Sequence, residues 1–181
     1  GVIREEGGDP YRETLTLVQT QKGGYFTYDP EGGLWRMYLF VEDTISRDLP
    51  DTPELFELSG EAFGRFQRQI GSFPADTLFE TIRDFHNTPA RYQQLQDAIT
   101  RNEADRLDEV AAEIEFCRER ERDVHVLMDA LAAGEIPLRV THNDTKLNNV
   151  LLDAKTGCGV CVIDLDTVMP GLAAYDFGDS I

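Results

Sequence analysis

Two kinds of hydrophobic spacing divide the chain. Over residues 14–41, short runs rich in β-branched and aromatic residues alternate with turn residues such as Gly-Gly and Asp-Pro. This alternation predicts an antiparallel meander of strands. After Pro53 the apolar residues recur at every third or fourth position, which predicts an amphipathic helix. The apolar stripe of that helix consists of Leu55, Leu58, Ala62, Phe63, Phe66 and Ile70.

The second half of the chain has a further helical region and then returns to strands. Helical spacing extends over residues 103–131, with Glu and Arg covering the polar face. Apolar strands are then predicted on both sides of a polar loop at 142–149. Another strand, at 159–163, leads into a second polar loop at 164–167. We therefore expect the functional side chains to lie in these two loops.

Composition narrows the classes of function. Of the 181 residues, 41% are hydrophobic, and the net charge is −17. Nucleic-acid phosphates repel so negative a chain, so nucleic acid is not an expected partner. The acidic surface is interpreted as a solvated face or, alternatively, as a field that attracts a cationic substrate. There is no apolar run of about 18 residues, so no membrane span is expected. Residues 1–6 lack the features of a secretory signal, so a cytoplasmic location is expected.

The cysteines offer one pair with redox or metal spacing. Cys158 and Cys161 are separated by two residues, and Cys117 lies in a helical stretch. A structural zinc ion needs four ligands, and no second pair follows. The apolar residues around Cys161 predict a buried strand. We interpret these cysteines as structural thiols and leave a redox role open.

The first polar loop has the spacing His-x-Asp-x-x-x-x-Asn, which is typical of the catalytic loop of phosphoryl-transfer enzymes. Asp144 could accept the proton of an incoming hydroxyl group, and the side-chain oxygen of Asn149 could bind magnesium. Lys146 could neutralise charge on a transferring phosphoryl group. His142 is expected to orient the loop through hydrogen bonds. The same residue types occur in ordinary polar turns, so this loop alone does not decide the function.

The second polar loop supplies two further acidic groups. Asp164 and Asp166 follow the apolar strand directly. Magnesium prefers oxygen ligands from few side chains together with phosphate oxygens, and Asn149 with Asp164 provides that minimum. Asp166 could add a ligand or hold a metal-bound water molecule. The alternative is a pair of aspartates that cap a turn.

These residues carry a family resemblance. The segment 138–181 contains THNDTKLNNVLLD, VIDLDTVMPG and YDFGDSI, and it resembles the aminoglycoside phosphotransferase and choline kinase superfamily. Within that superfamily it is most similar to the N-acetylhexosamine 1-kinase group, which the segments RFQ and DFHNTP also resemble. The resemblance implies an α+β, protein-kinase-like fold, with ATP and magnesium as cofactors. It also implies a small-molecule hydroxyl substrate, a sugar phosphorylated at its anomeric hydroxyl.

The resemblance also implies roles for individual residues. By position, Asp144 resembles the catalytic base, and Asn149 and Asp164 resemble the metal ligands. Asp176 resembles a residue that braces the catalytic loop from a following helix.

The resemblance further implies two lobes. Residues 1–43 correspond to the last strands of the small lobe and the hinge, and 44–181 to the helical large lobe. Phe40, Val41 and Glu42 in the hinge are then the expected nucleotide-binding residues.

The sequence also departs from the family pattern. It has no glycine-rich phosphate loop, and near the start it has no Lys or Arg on a strand before a helix, where the phosphate-gripping residue of the small lobe is expected. We therefore expect a piece of the enzyme that starts inside the small lobe and ends before the remaining large-lobe helices. We expect such a piece to show no measurable kinase turnover by itself.

Other interpretations remain open at this point. His86 and Asn87 could contact substrate or could serve as a helix cap and turn. The acidic charge would also suit an aminoglycoside or choline as the acceptor. Asp164 and Asp166 fit the nucleophile loop of haloacid-dehalogenase-like phosphatases, in which the first Asp is phosphorylated. A kinase-like binding module without turnover is the non-enzymatic alternative.

Overall fold

A computed structural model describes residues 1–181 and shows an α+β fold built from helices and small antiparallel sheets. The helices are α1 (Val2–Glu5), α2 (Pro10–Glu13), α3 (Pro53–Ile70), α4 (Thr88–Arg101), α5 (Ala111–Glu119), α6 (Val126–Ala132) and α7 (Ala173–Asp179). The strands are β1 (Thr27–Tyr28), β2 (Leu34–Trp35), β3 (Thr44–Ile45), β4 (Arg139–Thr141), β5 (Val150–Asp153), β6 (Gly159–Val162) and β7 (Met169–Gly171). None of the helices is both long and apolar enough to span a bilayer.

Residues 14–41 pair in antiparallel fashion, as predicted, but over fewer residues than a full meander. Strands β1 and β2 form a hairpin in which Thr27 lies opposite Trp35. A single bridge joins Leu17 to Tyr38. Most of the apolar side chains of this region are exposed, so little buried surface holds longer strands together. The sheet is consequently reduced to two-residue ladders.

The helix predicted after Pro53 is confirmed as α3. Pro53 occupies its first turn, where a missing backbone N–H costs nothing. Its apolar stripe packs against β5 and β6, and this contact forms the main hydrophobic core. The buried members of that core are Ala62, Phe63, Val150, Leu152 and Val162.

The helical region 103–131 is broken into short pieces. It consists of a 3₁₀ turn at Leu107–Val110, then α5, a second 3₁₀ turn at Glu121–Asp123, and α6. Ile114 is the only buried residue of α5, and α6 has none. With so little burial along one face, packing does not hold the region as one straight helix.

The strands predicted around the two polar loops are confirmed. Strands β5 and β6 form an antiparallel hairpin with Val150 opposite Val162, and β3 adds to the other edge of β5. Strand β7, which the sequence pattern did not predict, pairs with β4. Loop 142–149 therefore connects β4 to β5, and loop 163–168 connects β6 to β7. Because β4 pairs with β7 and β5 with β6, the two loops lie side by side.

Candidate active site

The two polar loops are joined by direct hydrogen bonds. The backbone N–H of Ile163 donates to the carbonyl of Asn149 at 2.9 Å. The hydroxyl of Thr167 donates to the carbonyl of His142 at 2.7 Å. The side-chain amide of Asn143 donates to the carbonyl of Thr167 at 2.9 Å. The loops therefore form one unit.

His142 connects both loops from inside the core. It is completely buried, and its ring contacts the edges of Phe63 and Phe66 of α3 at centroid distances of 5.4 and 5.6 Å. Its Nδ1 accepts the backbone N–H of Asp144 at 3.3 Å. Nε2 therefore carries the proton, which it donates to the carbonyl of Ile163 at 2.9 Å. With both ring nitrogens bound to backbone, the neutral imidazole is placed to orient the loops.

Asp176, on α7, holds the backbone of the first polar loop through hydrogen bonds. One carboxylate oxygen accepts the backbone N–H of Asn143 at 2.7 Å, and the other accepts that of His142 at 2.9 Å. The side-chain amide of Gln67 on α3 donates to the same carboxylate. Asp176 is only 5% exposed, so these donors replace water as the partners of a buried negative charge.

A second aspartate of α7 also holds the loop, and sequence reasoning missed it. Asp179 accepts the backbone N–H of Thr145 at 2.5 Å. The Thr145 hydroxyl lies within hydrogen-bond distance of Asp179 and of the Asp176 carbonyl. The signal was present in the sequence, because residues three apart share one face of a helix. Both carboxylates of YDFGD therefore face the loop that they hold.

The loop backbone takes up a left-handed turn immediately before Asp144. Asn143 has φ of 67°, a conformation that Asn tolerates better than most residues. Its side-chain oxygen accepts the Thr141 hydroxyl at 2.9 Å, which helps to hold that backbone angle. Gly171 of β7 lies against the same hydroxyl, so closely that a Cβ atom would collide with it. The turn therefore depends on a glycine on the neighbouring strand.

Asp144, Lys146 and Asn149 form a hydrogen-bonded polar group in which Lys146 is exposed and Asn149 is buried. The Lys146 ammonium lies 2.7 Å from the Asp144 carboxylate. The Asn149 side-chain amide donates to the Asp144 carbonyl at 2.8 Å and to its carboxylate at 2.9 Å. Partial burial acts to raise the pKa of Asp144, but the hydrogen bonds from Lys146 and Asn149 outweigh it and hold the pKa below its ordinary value. The carboxylate is therefore ionised at neutral pH.

Lys146 is surrounded by carboxylates from three elements. Its hydrogen bond to Asp144 raises the pKa of the ammonium, against a smaller opposing effect of desolvation. The negative charges of Asp144, Asp164 and Asp179 raise it further. Lys146 is therefore a fixed positive charge between the two loops.

Asn149 and Asp164 have oxygen atoms available for a cation. The Asn149 amide nitrogen makes both of its hydrogen bonds to Asp144, which leaves the amide oxygen without a hydrogen bond. The Asp164 carboxylate accepts no hydrogen bond, and φ of 59° turns this residue out of the strand direction. No group of three or more His, Cys, Asp or Glu side chains could enclose a metal ion. The pair fits a hard cation such as magnesium, which completes its shell with phosphate and water oxygens.

Asp166 lies at the surface beside this pair. Its carboxylate is 58% exposed and forms an ion pair with Arg36. The ion pair links the β1–β2 region to the second loop. The predicted metal role of Asp166 stays a prediction.

A cleft of about 690 Å³ lies next to Asp164. Phe40 and Val41 line it, together with Arg36 and Leu165. Phe40 is 84% exposed, whereas Val41 is buried. Glu42 does not line the cleft, and its carbonyl accepts a hydrogen bond from Arg12. Two of the three expected nucleotide-binding residues therefore border the cavity.

Residues 16–181 match APH, the phosphotransferase enzyme family. The chain belongs to this family. The matched residues include both polar loops, the cleft and α7. The family match favours the phosphoryl-transfer interpretation of Asp164 over the phosphatase interpretation.

His86 and Asn87 of this phosphotransferase line a separate pocket of about 270 Å³. His86 donates from Nε2 to the carbonyl of Asn143 at 2.9 Å and stacks on Tyr175 at 5.2 Å. The Asn87 side-chain oxygen caps α4 by accepting the N–H of Ala90. His86 thereby contacts the catalytic loop, and Asn87 acts as a helix cap. Their predicted contact with substrate stays a prediction.

The cysteines of the phosphotransferase are all free thiols. Cys161 is buried in β6, and burial raises its pKa to about 12. A thiol with so high a pKa is protonated at neutral pH and is a poor nucleophile and metal ligand. Cys161 is therefore a packing residue.

We expect Asp176→Asn to loosen the catalytic loop. An amide has one acceptor oxygen, so its NH₂ group would face the N–H of His142 or Asn143. Leaving a buried donor unpaired costs about 1–3 kcal/mol of unfolding free energy. Hydrogen exchange should show faster exchange at both backbone amides, and urea unfolding should show the loss of stability. The exposed Asp123→Asn serves as the matched control. Unchanged protection of both amides in Asp176→Asn would contradict the proposed bracing.

We expect Lys146→Met to raise the pKa of Asp144. The substitution removes the hydrogen bond and the positive charge that lower this pKa, while partial burial, which raises it, remains. The protonated form should therefore persist to higher pH than in the wild type. Carbon-13 NMR of the Asp144 carboxyl group, followed through a pH titration, measures the change. Lys22→Met, in an exposed turn, should leave it unaltered. A lower Asp144 pKa in Lys146→Met would contradict this account.

Proposed function

We propose that this phosphotransferase is a small-molecule kinase that transfers the γ-phosphoryl group of ATP to a hydroxyl group. We further propose that the acceptor is the anomeric hydroxyl of an N-acetylhexosamine. The observation that carries the proposal is the arrangement of Asp144, Lys146 and Asn149 beside the unpaired carboxylate of Asp164. That arrangement combines a proton acceptor, a positive charge and two free oxygen ligands.

Asp144 would act as the proton acceptor. Its lowered pKa keeps it ionised, so it can accept a hydrogen bond from the acceptor hydroxyl. A weak base suits a loose transition state, in which the hydroxyl proton leaves late. As the hydroxyl oxygen bonds to the γ-phosphorus, the bond from that phosphorus to the oxygen of ADP breaks. The hydroxyl proton then passes to Asp144.

Asn149 and Asp164 would hold the metal ion. Magnesium, when bound, offsets the negative charge of the phosphate oxygens. Lys146 adds a protein charge between the two loops and keeps the Asp144 carboxylate in place. Asp166 would contribute through a water molecule, because its carboxylate is paired with Arg36.

The cleft beside Asp164 would take the nucleotide. Phe40 and Val41 line it, and the exposed ring of Phe40 offers an apolar face to a base. The resemblance of the segments RFQ and DFHNTP to the N-acetylhexosamine 1-kinase group favours a sugar as acceptor. The pocket lined by His86 is adjacent to loop 142–149. An aminoglycoside or choline is the second candidate, because the net charge of −17 attracts cations.

The acceptor can be identified by a screen of the full-length protein for ADP release. N-acetylhexosamines, other hexoses, aminoglycosides and choline would each be tested with ATP and magnesium. We expect release with N-acetylhexosamines, and phosphorus NMR should show a phosphate on the anomeric carbon. Release with aminoglycosides or choline alone would support the second candidate. No release with any acceptor would favour a binding module.

Two variants separate the base from the metal ligand. Asp144→Asn keeps size and hydrogen bonding but removes the proton acceptor, so kcat should fall by about 10²–10⁴ with nearly unchanged nucleotide affinity. Asp164→Asn removes negative charge from the metal site. It should weaken magnesium-nucleotide binding as well as turnover, with partial recovery at high magnesium. Steady-state kinetics and nucleotide titrations measure both effects.

The phosphatase alternative expects the opposite ranking. Asp164 would then be an indispensable nucleophile that becomes phosphorylated, and substitution of Asp144 would hardly change turnover. Mass spectrometry of Asp164 after incubation with substrate tests this directly. A nearly normal Asp144→Asn enzyme would end the kinase assignment.

A further inference from the structure

Arg12, at the end of α2, connects two distant parts of the chain. Its Nη1 donates to the carbonyl of Glu42 at 2.7 Å, and its Nη2 lies 2.7 Å from the carboxylate of Asp153 at the end of β5. The side chain of Arg12 is 33% exposed and that of Asp153 is 23% exposed. The guanidinium is thus partly buried and binds two acceptors at once, and nothing in the proposed chemistry uses this contact.

The Asp153 carboxylate, which binds Nη2 of Arg12, is itself held in a fixed position. It accepts the backbone N–H groups of Thr156 and Lys155 in the turn that follows β5. These two hydrogen bonds, with a further one from Arg12, lower the pKa of Asp153 to about 2. The carboxylate therefore stays ionised at any pH at which the protein would be assayed.

The Nη1 group of Arg12 reaches Glu42 in the segment 40–43, whose first two residues, Phe40 and Val41, line the cleft. Asp43 has φ of 54°, a left-handed backbone conformation that costs energy for a residue other than glycine. Its carbonyl accepts the N–H of Ala154 at 2.9 Å, and Thr44 of β3 pairs with Asp153. Arg12 completes this set of contacts by holding the carbonyl of Glu42. Residues 42–44 are thereby tied to Asp153 and Ala154, at the end of β5.

We propose that Arg12 is a positioning residue for nucleotide binding, because it fixes the segment 40–43 against β5. The proposal rests on the proposed function, in which Phe40 and Val41 of this segment contact the nucleotide. A segment free to rotate about Asp43 would present these residues correctly for only part of the time. Apparent nucleotide affinity falls by that fraction.

An arginine is required because two acceptors must be bound at once. The planar guanidinium presents several N–H donors in a fixed fork, whereas the ammonium of lysine is a single centre. Arg12→Lys therefore keeps the charge but breaks the link between Glu42 and Asp153. Arg12→Gln removes the charge as well.

The test compares these two variants with wild type in the full-length protein. We expect the Kd for magnesium-ATP, by calorimetry, and the KM for ATP to rise about three- to tenfold in both. The kcat at saturating ATP and the KM for the acceptor should change less than twofold. The Ala154 amide should exchange faster. Arg68→Gln, which removes another ion pair of the N-terminal segment, to Glu6, should leave nucleotide binding unchanged.

The outcomes distinguish this inference from the proposed function. Wild-type protein that binds magnesium-ATP, with the same Kd in Arg12→Lys and Arg12→Gln, would overturn the positioning role alone. A lower melting temperature with unchanged Kd would have the same meaning, since Arg12 would then be only structural. If the wild type binds no nucleotide, the proposed function fails and this inference fails with it.

Discussion

The geometry of loop 142–149 depends on one buried carboxylate. Asp176 accepts the backbone N–H groups of His142 and Asn143, the two residues that precede Asp144. A buried carboxylate without donors is strongly unfavourable, and two amide donors in a loop would otherwise be unpaired. The carboxylate and the two N–H groups therefore satisfy each other's hydrogen-bonding capacity. The loop has one well-determined conformation as a result. The position of Asp144 follows from this exchange of hydrogen bonds.

Around this contact, several side chains of the candidate site hydrogen-bond to backbone. Both ring nitrogens of His142 form hydrogen bonds to the backbones of the two loops, and His86 donates to the carbonyl of Asn143. Asp179 fixes Thr145, which lies between Asp144 and Lys146. The Asp164 carboxylate makes no such bond, and it lines the cleft. This division separates the residues that set geometry from those available to bind.

Local patterns in the sequence predicted a large part of this arrangement. The apolar stripe predicted α3, and alternating apolar runs predicted the strands around both loops, because burial of one face determines these elements. The spacing of loop 142–149 predicted the group around Asp144. The break between α5 and α6 was missed, since helical spacing does not reveal whether a partner surface is present. The contacts of Arg12 were missed because they join residues far apart in the chain, whereas the contact of Asp179 could have been inferred from its helical spacing to Asp176.

The dependence of the loop on α7 has a consequence for the order in which the protein folds. The chain reaches Asp144 well before Asp176, and synthesis proceeds from the N-terminus. α3 and the β5–β6 hairpin can bury their apolar faces against each other without α7. The loop amides have no carboxylate partner until α7 has been made and has docked. Loop 142–149 therefore takes its final form only after α7 has docked, on a core that can already exist.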